Sequence, residues 1–299
     1  MCKVLNIQRS AYYKWLNRAI PENEQENMEL AEIIKKYHQK YGGILGYRRM
    51  RMFINRNYKK NYNIKRIRRI MNILGIHSRL RRIKTGCTVS NKADQKAENI
   101  LHRDFEASAP NEKWTTDVTE FKVPHSTEKL YLSVFLDLYD RCIIAWEIRE
   151  RNDNILVQNT FRKAVAQNPE AHPLFHFDRG YQYTSPVFQN QLKEHGMIQS
   201  MSRVACCLDN GPTEGLWGII KTEMYKMYEI YDKESLIEAI GNYINFYNYQ
   251  RYQERYNSKA PMEIRMEAMN TVKPKQYPIA FNPRIAKYHE LLSNLKTQS

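Results

Sequence analysis

Three acidic residues stand at positions where a folded chain could bring carboxylates together. Asp117 lies inside a run of β-branched and aromatic residues, Asp178 directly follows the apolar run Leu174–Phe177, and Glu214 lies just after Pro212. Divalent cations such as Mg²⁺ prefer hard oxygen ligands, and carboxylates supply them. Two such ions about 4 Å apart can clamp the attacking and leaving oxygens of a phosphoryl transfer. These acids therefore indicate metal-dependent chemistry on a phosphate ester, provided that the fold brings them together.

The elements that must position these acids are visible in the pattern after residue 112. Residues 113–123, 130–139 and 141–149 form three β-branched or aromatic runs with short turns between them, which predicts an antiparallel meander. Helical and strand patterns then alternate, with helices predicted over about 154–167, from Pro186 behind the N-cap Ser185, and over about 212–226 and 233–249, and strands at 174–177 and 197–201. This order predicts an α/β fold, a mixed sheet with helices packed on it.

These elements place the three acids at one edge of the predicted sheet. Asp117 lies inside the first strand, and Asp178 lies at the carboxyl end of the fourth, where open α/β sheets bind their ligands. Glu214 lies in the first turn of a helix, whose N-terminus favours the ionised carboxylate that a metal needs. We therefore expect the three carboxylates to converge.

Other residues of similar type are expected to have structural roles. Asp137 is expected to be a polar residue at a strand end, and Asp209 to cap or orient the helix that carries Glu214. Glu223, more than two turns along that helix, is expected to face solvent. The tryptophans expected in the core are Trp114, Trp146 and Trp217.

Two alternative chemistries lack the pattern that they need. His172 and His176 precede the adjacent cysteines Cys206 and Cys207, but a zinc site of the retroviral type would use a CxxC pair near the N-terminus. A covalent tyrosine recombinase would need Arg and His around one tyrosine, and none of the 21 tyrosines is singled out in this way.

The positive charge of the chain is concentrated in one segment. The net charge is +15, and residues 35–84 hold 17 Lys and Arg residues without a single Asp or Glu. These charges alternate with apolar residues, so the segment is predicted to fold, with helices over about 29–41 and 47–56. Like charges at this density repel one another unless a partner neutralises them, which favours nucleic acid over a solvated basic face without a partner.

The last helix of this segment has two distinct faces. Its apolar stripe recurs at intervals of three and four, and comprises Ile64, Ile67, Ile70, Met71 and Leu74. The basic residues between them are Lys65, Arg66, Arg68 and Arg69. This pattern predicts a helix-turn-helix-like module whose third helix lies along DNA and contacts phosphates.

Membrane and secreted proteins are disfavoured by the composition. The longest unbroken apolar run covers residues 142–146, far short of the roughly 18 residues of a membrane span, and the N-terminus lacks a secretory signal. The five cysteines form an odd set without CxxC spacing. We expect a cytoplasmic, nucleoid-associated protein.

The motifs together resemble one known family along nearly the whole chain. The chain is similar to the B subunit of bacterial transposases of the insertion-sequence-three family, whose core resembles retroviral integrase. The matching blocks are Arg9–Leu16 (RSAYYKWL), 46–49 (GYRR), 66–76 (RIRRIMNILGI), 111–121 (NEKWTTDVTEF), 178–185 (DRGYQYTS), 209–223 (DNGPTEGLWGIIKTE), and 246–251 (FYNYQR) followed by 260–261 (AP). The 35 residues between Asp178 and Glu214 match the spacing of the family's DDE triad.

The resemblance implies a function and a set of residues. Asp117, Asp178 and Glu214 would be the catalytic metal ligands for two Mg²⁺ ions, with Mn²⁺ as a substitute. The reaction would be DNA strand cleavage followed by attack of the freed 3′-hydroxyl on another phosphodiester. Lys221, seven residues after Glu214 and on the same helix face, would contact DNA phosphate. Further DNA contacts are expected from Lys65, Arg66, Arg68, Arg69, Arg48 and Arg49.

The resemblance also implies partners. The enzyme would act on element ends and target DNA as a homo-oligomer, and in this family it is usually fused to, or associated with, an upstream A protein. Two other functions fit the same residues: a catalytically inert DNA-binding copy that acts as a regulator, and a nuclease that hydrolyses DNA without joining it.

The implied fold is a ribonuclease-H-like mixed-sheet catalytic core preceded by a basic helix-turn-helix-like helical domain. The expected segments are a short N-terminal helical motif (1–24), a DNA-binding domain (25–85), a linker (86–108), the catalytic core (109–270) and a C-terminal tail (271–299).

Overall fold

The computed structural model describes residues 2, 4, 7–80, 98–203 and 207–296. The chain divides into two compact units, Met1–Arg79 and Leu80–Ser299. The end of the basic segment (81–84), most of the expected linker, and Cys206 lie outside the described residues.

The first unit is helical. Its helices are α1 (Arg9–Leu16), α2 (Glu22–Lys40), α3 (Tyr47–Asn57) and α4 (Ile64–Ile73). The start of α2 was expected near residue 29, and the helix begins a full two turns earlier, behind Pro21. Two acidic residues in its first turn, Glu22 and Glu24, favour this start because they complement the positive end of the helix dipole.

The turn between α2 and α3 depends on Gly43. Its φ of +76° lies in the left-handed region that other residues avoid. A Cβ on this residue would also approach the side chain of Arg79 to 2.9 Å, while the Arg79 amide donates a hydrogen bond to the Gly43 carbonyl. This hydrogen bond attaches the last residue of the first unit, Arg79, to the turn between α2 and α3.

The second unit contains one five-stranded mixed sheet. Its strands are β1 (Lys113–Lys122), β2 (Lys129–Asp137), β3 (Ile143–Arg149), β4 (Leu174–Phe177) and β5 (Ile198–Met201), in the order β3-β2-β1-β4-β5. The first three are antiparallel, and β4 and β5 run parallel to β1. This confirms the predicted α/β class and the predicted mixed sheet.

The helices of this unit are α5 (Asn154–Gln167), α6 (Pro186–Glu194), α7 (Gly211–Met227), α8 (Lys233–Tyr249), α9 (Pro261–Met269) and α10 (Pro283–Lys296). Four of them, α5 to α8, begin close to the predicted residues, whereas the last two, α9 and α10, were not predicted. The predicted N-cap of α6 is confirmed, since the Ser185 hydroxyl accepts a hydrogen bond from the Phe188 amide. Among the described residues no helix is long and apolar enough to cross a membrane.

The two faces of β1 contact different layers. Trp114 and Val118 point into an apolar core that α5 and α6 complete with Phe161 and Phe188. Residues at the alternate positions, including Thr115, point toward α7. The sheet is therefore sandwiched between helices, and the α7 side of β1 is the polar one.

Residues that precede and follow the expected catalytic core in the sequence also pack within the second unit. Leu101 and Phe105, inside the expected linker, are buried against Leu138, so the chain from residue 98 onward is part of the second unit. In the expected tail, α10 places the ring of Tyr288 within 4.3 Å of the Arg103 guanidinium and 4.1 Å of the Arg203 guanidinium.

Candidate active site

Strand register places Asp117 and Asp178 side by side. In the parallel β1–β4 pair, Trp114 lies opposite Phe175 and Thr115 opposite His176. Two residues further along each strand are Asp117, within β1, and Asp178, immediately after β4. The pairing thus brings two acids that are 61 positions apart in sequence to adjoining positions at the sheet edge.

These two carboxylates share a site with too little positive charge. Burial raises the pKa of Asp117, and the neighbouring charges of Asp178 and Glu214 raise it further. Burial also raises the pKa of Asp178, although the Gly180 amide donates a hydrogen bond of 2.8 Å to its Oδ1. Neither acid forms an ion pair within the part of the chain that the structure describes.

Helix α7 presents Glu214 to this pair. The Thr213 hydroxyl donates to the Thr115 hydroxyl at 2.8 Å, and the Asn210 side-chain amide donates to the Thr116 carbonyl at 3.1 Å. These bonds attach the start of α7 to β1 beside Asp117. Glu214 is exposed, and partial burial and the charge of Asp178 raise its pKa.

Trp217 is a site residue that sequence reasoning assigned only to the core. Its ring is buried, as expected, but its Nε1–H donates a hydrogen bond of 2.9 Å to Asp117 Oδ2. The other oxygen, Oδ1, accepts from the Val118 amide. Trp217 lies three residues after Glu214 and therefore on the same helix face, and that spacing was the available signal.

Lys221 lies on the same face of α7, as predicted. Its Nζ donates to the Thr119 hydroxyl at 2.7 Å and lies 5.3 Å from the centre of the Phe121 ring. Burial lowers the pKa of this amine, while Glu120 and Asp117 act in the opposite direction. Lys221 therefore reaches the same polar face of β1 that carries Asp117.

Asp209 orients the segment that leads into α7, which is one of the two roles expected for it. It is fully buried and accepts hydrogen bonds from Arg103, Arg203 and Asn99. The expected capping role is not observed, because the N-cap residue is Asn210 and it makes no side-chain capping bond. The two arginines also hold the ring of Tyr288.

The prediction that Glu223 faces solvent was wrong. Glu223 is 2% exposed, and its carboxylate pairs with Arg251 at 2.8 Å and accepts a hydrogen bond from the Tyr243 hydroxyl. Helix α8 covers this side of α7, so a position that looks solvent-facing on an isolated helix becomes buried. The partner, 28 residues away, could not be read from the helix periodicity.

Asp137 has the structural role expected of it, in a larger network. It is fully buried and pairs with Arg265, which also pairs with Asp140. The Trp114 indole donates to the same Asp137 oxygen at 3.3 Å. Trp146 is only partly buried, so the expectation that it belongs to the core holds in part.

The histidines do not form a metal site with each other. His176 is buried, and its ring nitrogens lie 2.9 Å and 3.0 Å from the hydroxyls of Ser200 and Ser202. Burial lowers its pKa to about 4. His172 instead bonds the carbonyl of His195.

The acids at the sheet edge fit a divalent cation by chemistry. They offer carboxylate oxygens, and burial raises the pKa of both Asp117 and Asp178, so a bound cation would favour their ionised form. Across the described ranges no three His, Cys, Asp or Glu side chains already form a metal-binding cluster. An ion would therefore have to draw the exposed Glu214 toward the aspartate pair.

In the helical unit, the basic residues differ in what they contact. Lys65, Arg68 and Arg69 are exposed on α4, and Arg48 is exposed on α3. Arg66 instead pairs with Glu26 at 2.7 Å and donates to Asn27 at 2.8 Å, within the unit. Arg49 is partly buried.

Family comparisons agree with both units. Residues 107–207 and 214–269 match families described as integrase core domain, and residues 22–84 match a family described as HTH-like domain. Among solved structures, the magnesium complex of the HTLV-2 integrase catalytic core domain is similar with a TM-score of 0.42 and 22% identity, covering 52% of this chain and 97% of that chain.

Two relatives are similar over most of the chain. The putative transposase InsK for insertion sequence element IS150 of Escherichia coli K12 is 36% identical over 266 residues, covering 89% of this chain and 92% of the relative. An uncharacterized transposase-like protein of Haemophilus influenzae is 38% identical over 210 residues, covering 70% of this chain and 95% of the relative. The chain therefore belongs to the insertion-sequence transposases that carry an integrase core domain.

Proposed function

We propose that the chain cleaves DNA at the ends of an insertion sequence and transfers the freed 3′-hydroxyl to a target strand, using Asp117, Asp178 and Glu214. The observation that carries this proposal is the strand register that sets Asp117 beside Asp178, with Glu214 presented from α7. Two carboxylates left without a cation at a strand edge suit a metal-dependent enzyme better than a purely structural acid pair.

Each side chain has a distinct part in this mechanism. The three acids would hold Mg²⁺, or Mn²⁺ in its place, which would supply Lewis acidity and charge neutralisation at the scissile phosphodiester. Trp217 fixes one oxygen of Asp117 and so orients the carboxylate. Lys221 can exchange its bond to Thr119 for a DNA phosphate, because an ammonium binds phosphate more strongly than a hydroxyl.

We further propose that the helical unit holds DNA through phosphates. Lys65, Arg68, Arg69 and Arg48 are exposed and can neutralise phosphates, which gives affinity that falls with salt. Arg49 is retained as a proposed contact, whereas the contacts of Arg66 with Glu26 and Asn27 favour a role in the fold.

The partners follow from the reaction. Joining two element ends requires at least two active sites on one DNA complex, so we propose a homo-oligomer on DNA. An upstream A protein, fused or associated, would add contacts to the element ends. The substrate would place the working complex on the bacterial nucleoid in the cytoplasm.

A strand-joining assay tests the proposal. The purified chain is mixed with a labelled duplex that carries the element end, with Mg²⁺ or Mn²⁺, beside Asp178→Asn and Glu214→Gln. Each variant should lose about a thousandfold in joining, because a metal ligand contributes several kcal/mol to the transition state. Glu120→Gln is the matched control, since Glu120 lies on β1 but pairs with Lys129.

The products separate the alternatives. Joined strands that disappear with chelator and in both site variants support the transposase with this triad. Metal-dependent cutting without joining would indicate a hydrolytic nuclease. DNA binding without any reaction, also when the chain is fused to the upstream A protein, would indicate an inert regulatory copy.

A further inference from the structure

A cleft beside the start of α7 is lined in part by Glu214. It has a volume of about 580 Å³ and lies between the start of α7, the β2–β3 turn and the segment that follows α8. Glu214 and Gly215 form part of its lining, Leu216 and Tyr247 supply apolar walls, and Arg141 and Arg255 supply positive charge. The cleft therefore combines cationic and apolar surfaces next to a proposed catalytic residue.

Donors in this cleft lack acceptors. Gln253 Nε2 and Arg255 Nε are buried and make no hydrogen bond. The Arg255 guanidinium donates to the Tyr277 carbonyl and lies 5.2 Å from the centre of the Tyr256 ring. Arg141 donates, at 3.3 Å, to the Phe105 carbonyl. Within the described residues neither arginine pairs with a carboxylate.

Other arginines of the second unit form ion pairs with carboxylates. Arg103, Arg251 and Arg265 each pair with a buried acid at 2.9 Å or less. Burial lowers the pKa of the Arg141 guanidinium, and the charge of Arg255 lowers it further, while Tyr256, Tyr247 and Asp137 act in the opposite direction. Arg141 also has a φ of +60°, a costly conformation for a residue with a side chain.

Unpaired buried donors and repelling cations cost stability, and proteins retain such features mainly where a ligand satisfies them. The missing group must be an anion that accepts several hydrogen bonds. A phosphodiester matches, because its oxygens suit the planar guanidinium fork and its sugar and base can contact apolar walls. A DNA strand held at Glu214 would bring such a group to the cleft.

We propose that this cleft binds the phosphate of a nucleotide adjacent to the one at Glu214, through Arg255, Arg141 and Gln253. This assignment rests on the proposed function, since it assumes a DNA strand at Glu214. The ligand is one phosphodiester of a DNA strand, with its sugar or base against Leu216 and Tyr247. The cleft thereby fixes the position of the strand relative to the triad.

Phosphate neutralisation in the DNA tests this assignment. A set of element-end duplexes carries one neutral methylphosphonate each, moved stepwise past the cleavage site. Binding to the full chain is measured by fluorescence anisotropy for the native protein, Arg255→Gln, and Arg162→Gln. Arg162 is the matched control because it is exposed on α5 and donates a hydrogen bond to Asn159.

The expected result is non-additivity at one or two positions. There, methylphosphonate weakens the native protein about tenfold, but weakens Arg255→Gln less than about twofold, because the contact is already lost. Arg162→Gln retains the full effect at every position. Additive losses at every phosphate, or no loss with Arg255→Gln, would overturn the assignment.

A second variant tests whether the effect of Arg255→Gln comes from lost phosphate binding or from lost stability. Gln253→Glu supplies the carboxylate that the two arginines lack, so the melting temperature should rise by about 2–4 °C while DNA affinity falls about tenfold. A decrease in both quantities would contradict the proposal. Both measurements use binding, so a chain that binds DNA without joining it refutes the proposed function and still tests the cleft.

Discussion

Asp209 and the Asp117–Asp178 pair show opposite relations between burial and charge. Asp209 is fully buried, and burial alone would raise its pKa, but hydrogen bonds from Arg203 and Arg103 lower the pKa to about 2. Burial also raises the pKa values of Asp117 and Asp178, and within the described residues neither acid pairs with an arginine. Burial raises the pKa of all three acids, and only at Asp209 do arginine partners reverse that effect.

An intermediate arrangement supports this conclusion. Asp137 and Asp140 share one arginine, Arg265, and burial together with Asp137 raises the pKa of Asp140 to about 8 in spite of that cation. The structural sites thus contain their own counterions in whole or in part. In the candidate active site, Asp117 and Asp178 form no ion pair within the described residues, and Lys221 bonds Thr119 instead. A bound metal cation would balance their charge.

Breaking a structural pair should give the largest effect on stability. Arg251→Met removes the cation that pairs with the buried Glu223 carboxylate, which also accepts a hydrogen bond from the Tyr243 hydroxyl. We expect the free energy of unfolding to fall by about 3–5 kcal/mol, because an unpaired buried charge is costly. Urea denaturation measures this loss. The double variant Glu223→Gln/Arg251→Met should recover much of it, and a loss below about 1 kcal/mol would contradict the account.

The two regions should also respond to pH with opposite sign. The low pKa of Asp209 contributes about 2 kcal/mol that is present above about pH 4 and is lost as the pH falls toward about 2. The raised pKa of Asp178 has the opposite effect. Its contribution to the free energy of unfolding decreases as the pH rises above about 4, because the carboxyl group ionises more readily in the unfolded chain.

Denaturation across pH, in chelator, checks this contrast through two variants. Asp209→Asn should flatten the acid limb of the stability curve, and Asp178→Asn should flatten the decline toward neutral pH. The same pH profile for both variants would show that the two sites do not differ in the way described.

The same substitution at two tryptophans compares the candidate active site with a structural site. Trp217 donates to Asp117, and Trp114 donates to Asp137. Trp217→Phe keeps an aromatic side chain but removes the indole N–H and some volume, so strand joining should fall about tenfold and require more Mg²⁺. Trp114→Phe should reduce stability without changing the Mg²⁺ requirement. A similar metal dependence for both variants would remove the positioning role from Trp217.

The smallest effect is expected in the helical unit. Arg68→Ala removes an exposed cation, so DNA affinity should fall severalfold and the slope of log affinity against log salt should decrease by about 1. Arg66→Ala breaks the pair with Glu26 and should chiefly lower thermal stability. Salt titrations of binding measure the slopes. An equal decrease in slope for Arg66→Ala would assign that residue to the DNA face instead.

The sequence predicts the elements better than the contacts between them. Periodicity and turns located β4 and α5 to the residue, and the parallel register follows from the fold class. The partners of Glu223 and Asp137 were not predictable, because Arg251 and Arg265 lie 28 and 128 positions away and only tertiary packing brings them close. To predict the hydrogen bond from Trp217 to Asp117, one would have to know which face of α7 and which face of β1 contact each other.

Metal binding to the free protein tests the central claim most directly. Mn²⁺ is titrated calorimetrically into the native chain, Asp178→Asn and Glu120→Gln at neutral pH. We predict binding to the native chain and to Glu120→Gln, an affinity at least about tenfold weaker for Asp178→Asn, and a rise in melting temperature only where Mn²⁺ binds. Equal binding by Asp178→Asn and the native chain would contradict the account, because the aspartate pair would then not be the site of the missing positive charge.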